Sequence, residues 1–422
     1  MKIQLTPTEL ESLTHALPLW SMQFDYACIL NSNHCASACD YDTYEIIAGV
    51  ANKGAVTYSE SNTLNFNNKW QLGYLGYENR NHLHGIISNK PTKSGFDSSF
   101  FFEPEFLIAI KKGSSEVEVH GNLELSIQEI MSYPKDSNTN TEVKLTARVT
   151  RENYIDTIEQ IKENIIKGTF YELNYCMEFY QDEIEINPGL VFNKLLSISP
   201  TPFASFFKHN QQFLMCASPE RFIKKTSRII ISQPIKGTIK RGKNKDDDEA
   251  LKTKLKQSDK ERAENIMIVD LMRNDLAQCA LTGTVRVDEL FGVYTFATVH
   301  QLISTVSATL VPEISLLEIL DHTFPMGSMT GAPKREVMHF IAQIEPTARG
   351  LFSGSVGYVN PNNDFDFNVV IRSITYNQDN RYLSCHVGSA ITYDADAAAE
   401  YEECLLKAET MFKALDTHTP NR

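Results

Sequence analysis

Apolar and polar positions along this chain follow two different periods. From Arg151, the stretch RENYIDTIEQIKENIIKG sets Tyr154, Ile158, Ile161, Ile165 and Ile166 at helical spacing and reaches Gly168, a fitting stop, which predicts an amphipathic helix. Elsewhere, short runs bounded by turn residues predict strands. In the first third these are YEIIAGVA (44–51) and FLIAIKKG (106–113). Later come RIIISQPI (228–235), LFSGSVGYVN (351–360), FDFNVVIRSITYN (365–377) and RYLSCHVGSAITY (381–393). Long helices are predicted near 246–279, 333–343 and 397–415. Strand runs alternating with helices of this length predict an α+β protein in which large, mostly antiparallel sheets are flanked by helices. No internal repeat is evident.

The segment SYPKDSNTNTE (132–142) is polar, carries a helix-breaking proline and lacks apolar periodicity. It marks the predicted boundary between an amino-terminal sheet-forming lobe (1–140) and a catalytic region (146–418). At 422 residues the chain is long enough to bury a large core in two or three lobes.

The net charge of −13 argues against nucleic-acid binding, which needs a surplus of Lys and Arg on some surface. The one basic stretch, Lys240 to Arg262, is interrupted by Asp246, Asp247, Asp248 and Glu249 and reads as a solvated face. The amino terminus carries acids and a proline where an export signal would be apolar, and no run approaches the roughly 18 apolar residues that span a bilayer. A soluble, cytoplasmic protein is expected, with its eight cysteines reduced. His34, Cys35 and Cys39 cluster, but a metal site there lacks a second ligand pair.

Several residues carry potential chemistry. Glu261 and Glu264 in KERAEN stack on one helix face, and Glu400, Glu403 and Lys407 in EYEECLLKA do so on another. If the two faces meet, hard oxygen donors without His or Cys favour magnesium over zinc; two solvated helices with ordinary charge pairs fit the same pattern. Lys236 in PIKGT follows a predicted strand, with Gly237 allowing a tight turn. Burial or neighbouring cations would lower its pKa and supply the free amine that covalent catalysis needs, although most lysines after strands are merely exposed. GSMTGAPK (327–334) fails the spacing of a phosphate loop. Pro333 near a helix start and Thr330 near its cap leave N–H groups for a carboxylate, or simply cap a helix. Arg372, inside the apolar run FNVVIRSI, needs an anionic partner if buried. Tyr358 ends a strand, and Gly388 opens VGSA, where backbone can approach an anion. Glu220 in SPERF and His300 in TVHQL are further titratable groups, each more often structural than catalytic.

Taken in order, SPERF, PIKGT, AENIMIVDLMRNDL, GSMTGAPK, IRSI and AEYEECLLKA resemble the chorismate-utilising enzyme family over about residues 150–415. The first third resembles it only through WQLGYLGYE (70–78). The resemblance implies an anthranilate synthase component I-like fold. It further implies Mg2+ ligands at Glu264 and Glu403, supported by Glu261 and Glu400, and a general acid at Glu220. Substrate contacts are implied at Gly237, Thr238, His300, Thr330, Tyr358, Arg372, Gly388 and Lys407.

The lysine of PIKGT is similar to that of aminodeoxychorismate synthases, where anthranilate synthases usually have alanine. This implies attack by Lys236 at carbon 2 of chorismate, loss of the carbon 4 hydroxyl, and amination at carbon 4. The product then serves 4-aminobenzoate and folate synthesis. Anthranilate formation and a non-catalytic chorismate-binding relative are the alternatives. Isochorismate and salicylate synthases place a lysine base where YELNY (171–175) has Glu172, so activation of water is disfavoured. Two departures stand out: Ser389 and Ala390 replace common glycines after Gly388, and Glu172 replaces a usual glutamine. No glutaminase-like segment is present, so ammonia is expected free or from a separate glutamine amidotransferase subunit. No tryptophan feedback pocket is recognisable in the amino-terminal lobe.

Overall fold

A computed structural model describes residues 2–35, 41–59, 67–88, 90–121, 126–134, 142–297 and 299–418. Cys39 and residues 135–141 of the expected boundary lie outside the described residues. The strands form one twelve-stranded and one ten-stranded sheet.

The strand Tyr44–Ala51 shows how the layers arise. Ile46, Ala48 and Val50 join a core with helices Pro7–Ser21, Arg151–Ile166, Pro188–Ile198 and Ala397–Ala414, whereas Ile47 and Ala51 face the second sheet. Both faces are buried, so the run YEIIAGVA is apolar from Ile46 onward instead of alternating with polar residues. The second sheet contributes Leu72, Tyr74, Phe100, Phe102 and Val356 to the shared inner core. Its outer face packs on helices Asp259–Ala277 and Leu316–Thr323 through Ile268, Met272, Ile319 and Leu320. The order is helices, sheet, sheet, helices, which is the expected class.

The amino-terminal third supplies strands to both sheets: Tyr26–Asn31 pairs with Phe203–His209, and Gln71–Leu75 with Ser355–Val359. Both predicted lobes therefore contribute strands to each of the two sheets. No helix among the described residues is long and apolar enough to cross a membrane.

Three expected elements are divided in the structure, one of them by a change of sheet. RIIISQPI divides at Pro234 into Ile229–Gln233 and Ile235–Lys240, because proline cannot donate to the ladder. Lys236 thus lies within an edge strand and not after one. FDFNVVIRSITYN divides into Phe365–Asn368 and Ser373–Asn377, which belong to different sheets. The helix expected near 246–279 is two, Lys245–Gln257 and Asp259–Ala277, with Ser258 capping the second by accepting from the Glu261 N–H. In the helix Arg151–Ile166, Tyr154, Ile158 and Ile161 are buried as expected, while Ile166 is exposed.

One buried cation fixes the strand on which the site is built. The Arg349 guanidinium donates to Glu345 (2.7 Å), to the Asn174 carbonyl (2.8 Å) and to the Met329 carbonyl (2.7 Å). Glu345 in turn accepts from the Cys176 N–H at 3.0 Å. Arg349→Met leaves the Glu345 carboxylate buried without its cation, and breaking such a pair costs about 3–5 kcal/mol. Urea denaturation should show that loss; a change below about 1 kcal/mol would mean that the pair does not hold the strand.

Candidate functional site

The strand Glu172–Gln181 alternates in character. Leu173, Tyr175, Met177 and Phe179 enter the helix-side core, so Glu172, Asn174, Cys176 and Glu178 lie on the opposite face. Opposite the start of this strand runs Ile235–Lys240, an edge strand of the other sheet. Its register against Val299–Thr309 slips between Ile235 and Thr238, and Gly237 adopts φ +91°, a bulge that only glycine enters without strain. The bulge places Lys236, whose Nζ donates to Glu172 Oε1 at 2.7 Å. The two side chains are 10% and 1% exposed, so this ion pair ties one sheet to the other inside the protein.

Its surroundings are acidic. Burial pulls the Lys236 pKa down, but Glu172, Glu264 and Glu220 outweigh it and hold the ammonium above its ordinary range. The expected lowering is therefore reversed: the lysine rests charged because carboxylates, not cations, surround it. Glu220 is fully buried by the chain around it, accepts from Ser328 Oγ at 2.8 Å and is pushed up to about 7 by burial, with Ser328 and Lys236 opposing.

Glu261 and Glu264 sit at the start of helix Asp259–Ala277, where the helix dipole favours negative charge. A Cβ on Gly237 would come within 2.9 Å of Glu261 Oε2, so this turn packs directly on the lysine strand. Glu400 and Glu403 come from Ala397–Ala414. Burial raises Glu261 and Glu400, with Glu403 adding to both; burial also raises Glu264, with Glu261 adding to it. Burial raises Glu403 as well, but Lys407 overrides it and holds the carboxyl below its usual range.

An excess of negative charge on oxygen-only donors fits a hard divalent cation. Among the described residues, however, no three carboxylate, His or Cys groups converge closely enough to enclose an ion. Instead Glu403 pairs with Lys407 at 2.8 Å and Glu264 with Lys260 at 3.9 Å. Lys407 also donates to the Gly388 carbonyl at 2.8 Å. Gly388 lies against the Glu172 strand, where a Cβ would come within 2.5 Å of Asn174 Oδ1.

Arg372 is not inside a strand. It occupies the crossing between the two sheets with φ 52°, and among the described residues its guanidinium has no hydrogen-bond or ion-pair partner. Burial lowers its pKa against the pull of Glu403, leaving a cation beside the acidic helices with donors to spare.

The remaining expected residues differ in their surroundings: Thr238 shares the Lys236 strand, and the Thr330 carbonyl accepts from the Asn174 N–H at 2.7 Å. Tyr358 turns into the inner core: its ring packs edge-on to Tyr44 (5.6 Å) and against Trp70 (5.9 Å), and it lines a separate cavity of about 60 Å³ with Asp42, Glu45 and Asn368. Phe352 of the same segment stacks on His386 at 5.5 Å. His300 is fully buried with both ring nitrogens engaged, by Asp248 Oδ1 (2.8 Å) and Thr295 Oγ1 (3.0 Å). Thr238 accepts from Gln301 at 3.4 Å. Thr330 does not cap Lys334–Ile344, whose cap residue is Pro333, but closes the short 3-10 turn Gly327–Met329; its hydroxyl bonds back to the Met326 carbonyl at 3.2 Å. Ser389, one of the two departures from glycine, bonds Tyr154 at 2.8 Å and steadies Glu400.

Sequence gives Glu172 no role in holding Lys236, because in a strand that also carries Asn174 and Glu178 no local pattern singles it out.

Comparison with known proteins places this arrangement. The chain is 38% identical over 275 residues to aminodeoxychorismate synthase of Streptomyces griseus, covering 64% of this chain and 37% of that protein. It is 36% identical over 274 residues to aminodeoxychorismate synthase component 1 of Escherichia coli, covering 64% of this chain and 59% of that one. The chain thus spans well under two thirds of the length of these relatives. The crystal structure of anthranilate synthase component I from Streptococcus pneumoniae superposes with a TM-score of 0.72 at 25% identity, covering 81% of this chain and 80% of that one. The family described as chorismate binding enzyme matches residues 20–413, and the chain belongs to that family.

Proposed function

We propose that this site aminates chorismate at carbon 4, giving 4-amino-4-deoxychorismate, with Lys236 as a transient covalent partner. The observation that carries this reading is the buried Lys236 held between Glu172 and Glu220 at the junction of the two sheets. The amino-acid match to aminodeoxychorismate synthases supports the choice of product.

Lys236 rests as an ammonium, so it must lose a proton before it attacks carbon 2. Glu172, at 2.7 Å, is the acceptor in position. Glu220, poised to about 7, gives its proton to the departing carbon 4 hydroxyl, which leaves as water. Ammonia then adds at carbon 4 as the bond from carbon 2 to Lys236 breaks. Arg372, with its unused donors, holds a carboxylate of the substrate. Glu264, Glu403, Glu261 and Glu400 would hold magnesium. When bound, it supplies a Lewis acid for the ring carboxylate. The "component 1" in the name of the Escherichia coli relative supports a separate subunit that supplies ammonia from glutamine. The product would feed 4-aminobenzoate and folate synthesis.

Purified protein incubated with chorismate, magnesium and ammonium should form 4-amino-4-deoxychorismate, identified by mass and absorbance, and Lys236→Ala should abolish it. Anthranilate as the product would contradict the assignment.

The general acid must be protonated to act, so kcat/KM should fall as pH rises through about 7, the value to which Glu220 is raised. Glu220→Gln keeps an acceptor for Ser328 but gives no proton. It should cost ~10²–10⁴-fold in rate and flatten that alkaline limb. A retained limb would assign the titration to another group.

A further inference from the structure

The short turn Gly327–Met329 is held on two sides. Asn174 Nδ2 donates to the Ser328 carbonyl at 3.1 Å, Arg349 to the Met329 carbonyl at 2.7 Å and the Asn174 N–H to the Thr330 carbonyl at 2.7 Å. On its other side the turn is pressed against helix Asp259–Ala277, where a Cβ on Gly327 would collide with Leu271. These restraints deliver one side chain: Ser328, itself buried, donates its hydroxyl to Glu220 Oε1 at 2.8 Å.

The backbone of Glu220 is fixed as well. Its N–H donates to Ser218 Oγ at 3.2 Å and its carbonyl accepts from the Val369 N–H at 3.0 Å. Around its carboxyl, the turn supplies Ser328 and the edge strand Ile235–Lys240 supplies the Lys236 ammonium and the Ile235 N–H. Helix Asp259–Ala277 meets the turn with the apolar Leu271 and Met272, while its Glu264 acts on Lys236. The neighbouring Arg221 pairs with Asp42 at 2.6 Å and with Asp366 at 2.9 Å. In the amination above, Lys236 enters the step as a neutral amine, so its charge is absent when the acid begins to ionise. Ser328 and the Ile235 N–H act on Glu220 throughout.

We propose, resting on the reading of Glu220 as the general acid, that Ser328 is its positioning residue: the hydroxyl holds the carboxyl toward the departing carbon 4 hydroxyl and donates to the negative charge that appears as the proton leaves. In that step the bond from Lys236 Nζ to carbon 2 forms, the ring double bonds shift and the bond from carbon 4 to oxygen breaks. The proton of Glu220 joins the departing oxygen, which leaves as water. Glu220 is left a carboxylate that accepts from Ser328, and the new ammonium on Lys236 balances its charge. A donor aimed at charge that develops only in the transition state lowers the barrier without tightening substrate binding. Ser328 keeps its own proton, and nothing is oxidised or reduced.

Ser328→Ala removes the donor without adding bulk. The hydroxyl favours the ionised carboxylate, so its loss makes Glu220 hold its proton to higher pH. The alkaline limb of kcat/KM, expected at about 7, should therefore move up by about one pH unit. The plateau below the limb should fall by no more than about tenfold, as for an acid one unit weaker, with KM for chorismate close to that of the unmodified chain. Ser328→Thr keeps the hydroxyl and should return the limb to its original pH. Ser328→Cys, a weaker donor, should lie between the two, and it carries the test if the alanine variant does not fold. A limb that stays in place in Ser328→Ala or, failing that, in Ser328→Cys overturns the proposal and leaves the serine a structural role only. If Glu220→Gln retains the limb, the acid assignment fails first and this inference fails with it.

Discussion

A lysine ammonium sealed among carboxylates is the constraint on which the site depends. Taking both charges of the Lys236–Glu172 pair out of water costs several kcal/mol per ion, repaid only by close geometry. At 2.7 Å, between side chains 10% and 1% exposed, the pair needs both strands in fixed positions. That requirement explains the surrounding architecture. The Gly237 bulge aims the lysine, while Arg349 and Glu345 pin the facing strand at Asn174 and Cys176. The helix-side core beneath Leu173 and Tyr175 keeps that strand from shifting.

The same electrostatics gives the site its direction. Of the four carboxylates on two helices, Glu403 raises Glu261 and Glu400 and Glu261 raises Glu264, while Lys407 holds Glu403 itself below its usual range. Such a cluster attracts cations, and Arg372 has unused donors for an anion. Chorismate, with two carboxylates, suits this mixture. Neutralising Glu172 or Glu264 would loosen their hold on the Lys236 ammonium, which in the proposed amination would link substrate binding to release of the amine.

Much of the fold was legible because period reports burial. YEIIAGVA and FLIAIKKG became strands buried on both faces, and Tyr154, Ile158 and Ile161 became a buried helical stripe. What sequence could not show was where a continuous apolar run changes sheet. Arg372 lies at such a crossing, whereas Pro234 interrupts a run whose two halves both pair with Val299–Thr309 in one sheet. Tyr358 was misplaced for a related reason. Both faces of its strand are buried, so hydrophobicity does not say which face looks at the site, and the tyrosine turns toward Tyr44 and Trp70. The pKa of Lys236 depends on partners distant in sequence, among them Glu172, 64 residues away, which no local pattern reveals. The six ordered motifs supplied the family, and the structure supplied which of their residues meet.

The most direct test of the central claim, that Lys236 is a covalent participant, is peptide mass mapping of protein mixed with chorismate and magnesium without an ammonia source. The account predicts a peptide containing Lys236 carrying chorismate less one water, and its disappearance on addition of ammonium. Steady turnover to the aminated product with Lys236 never modified would contradict it.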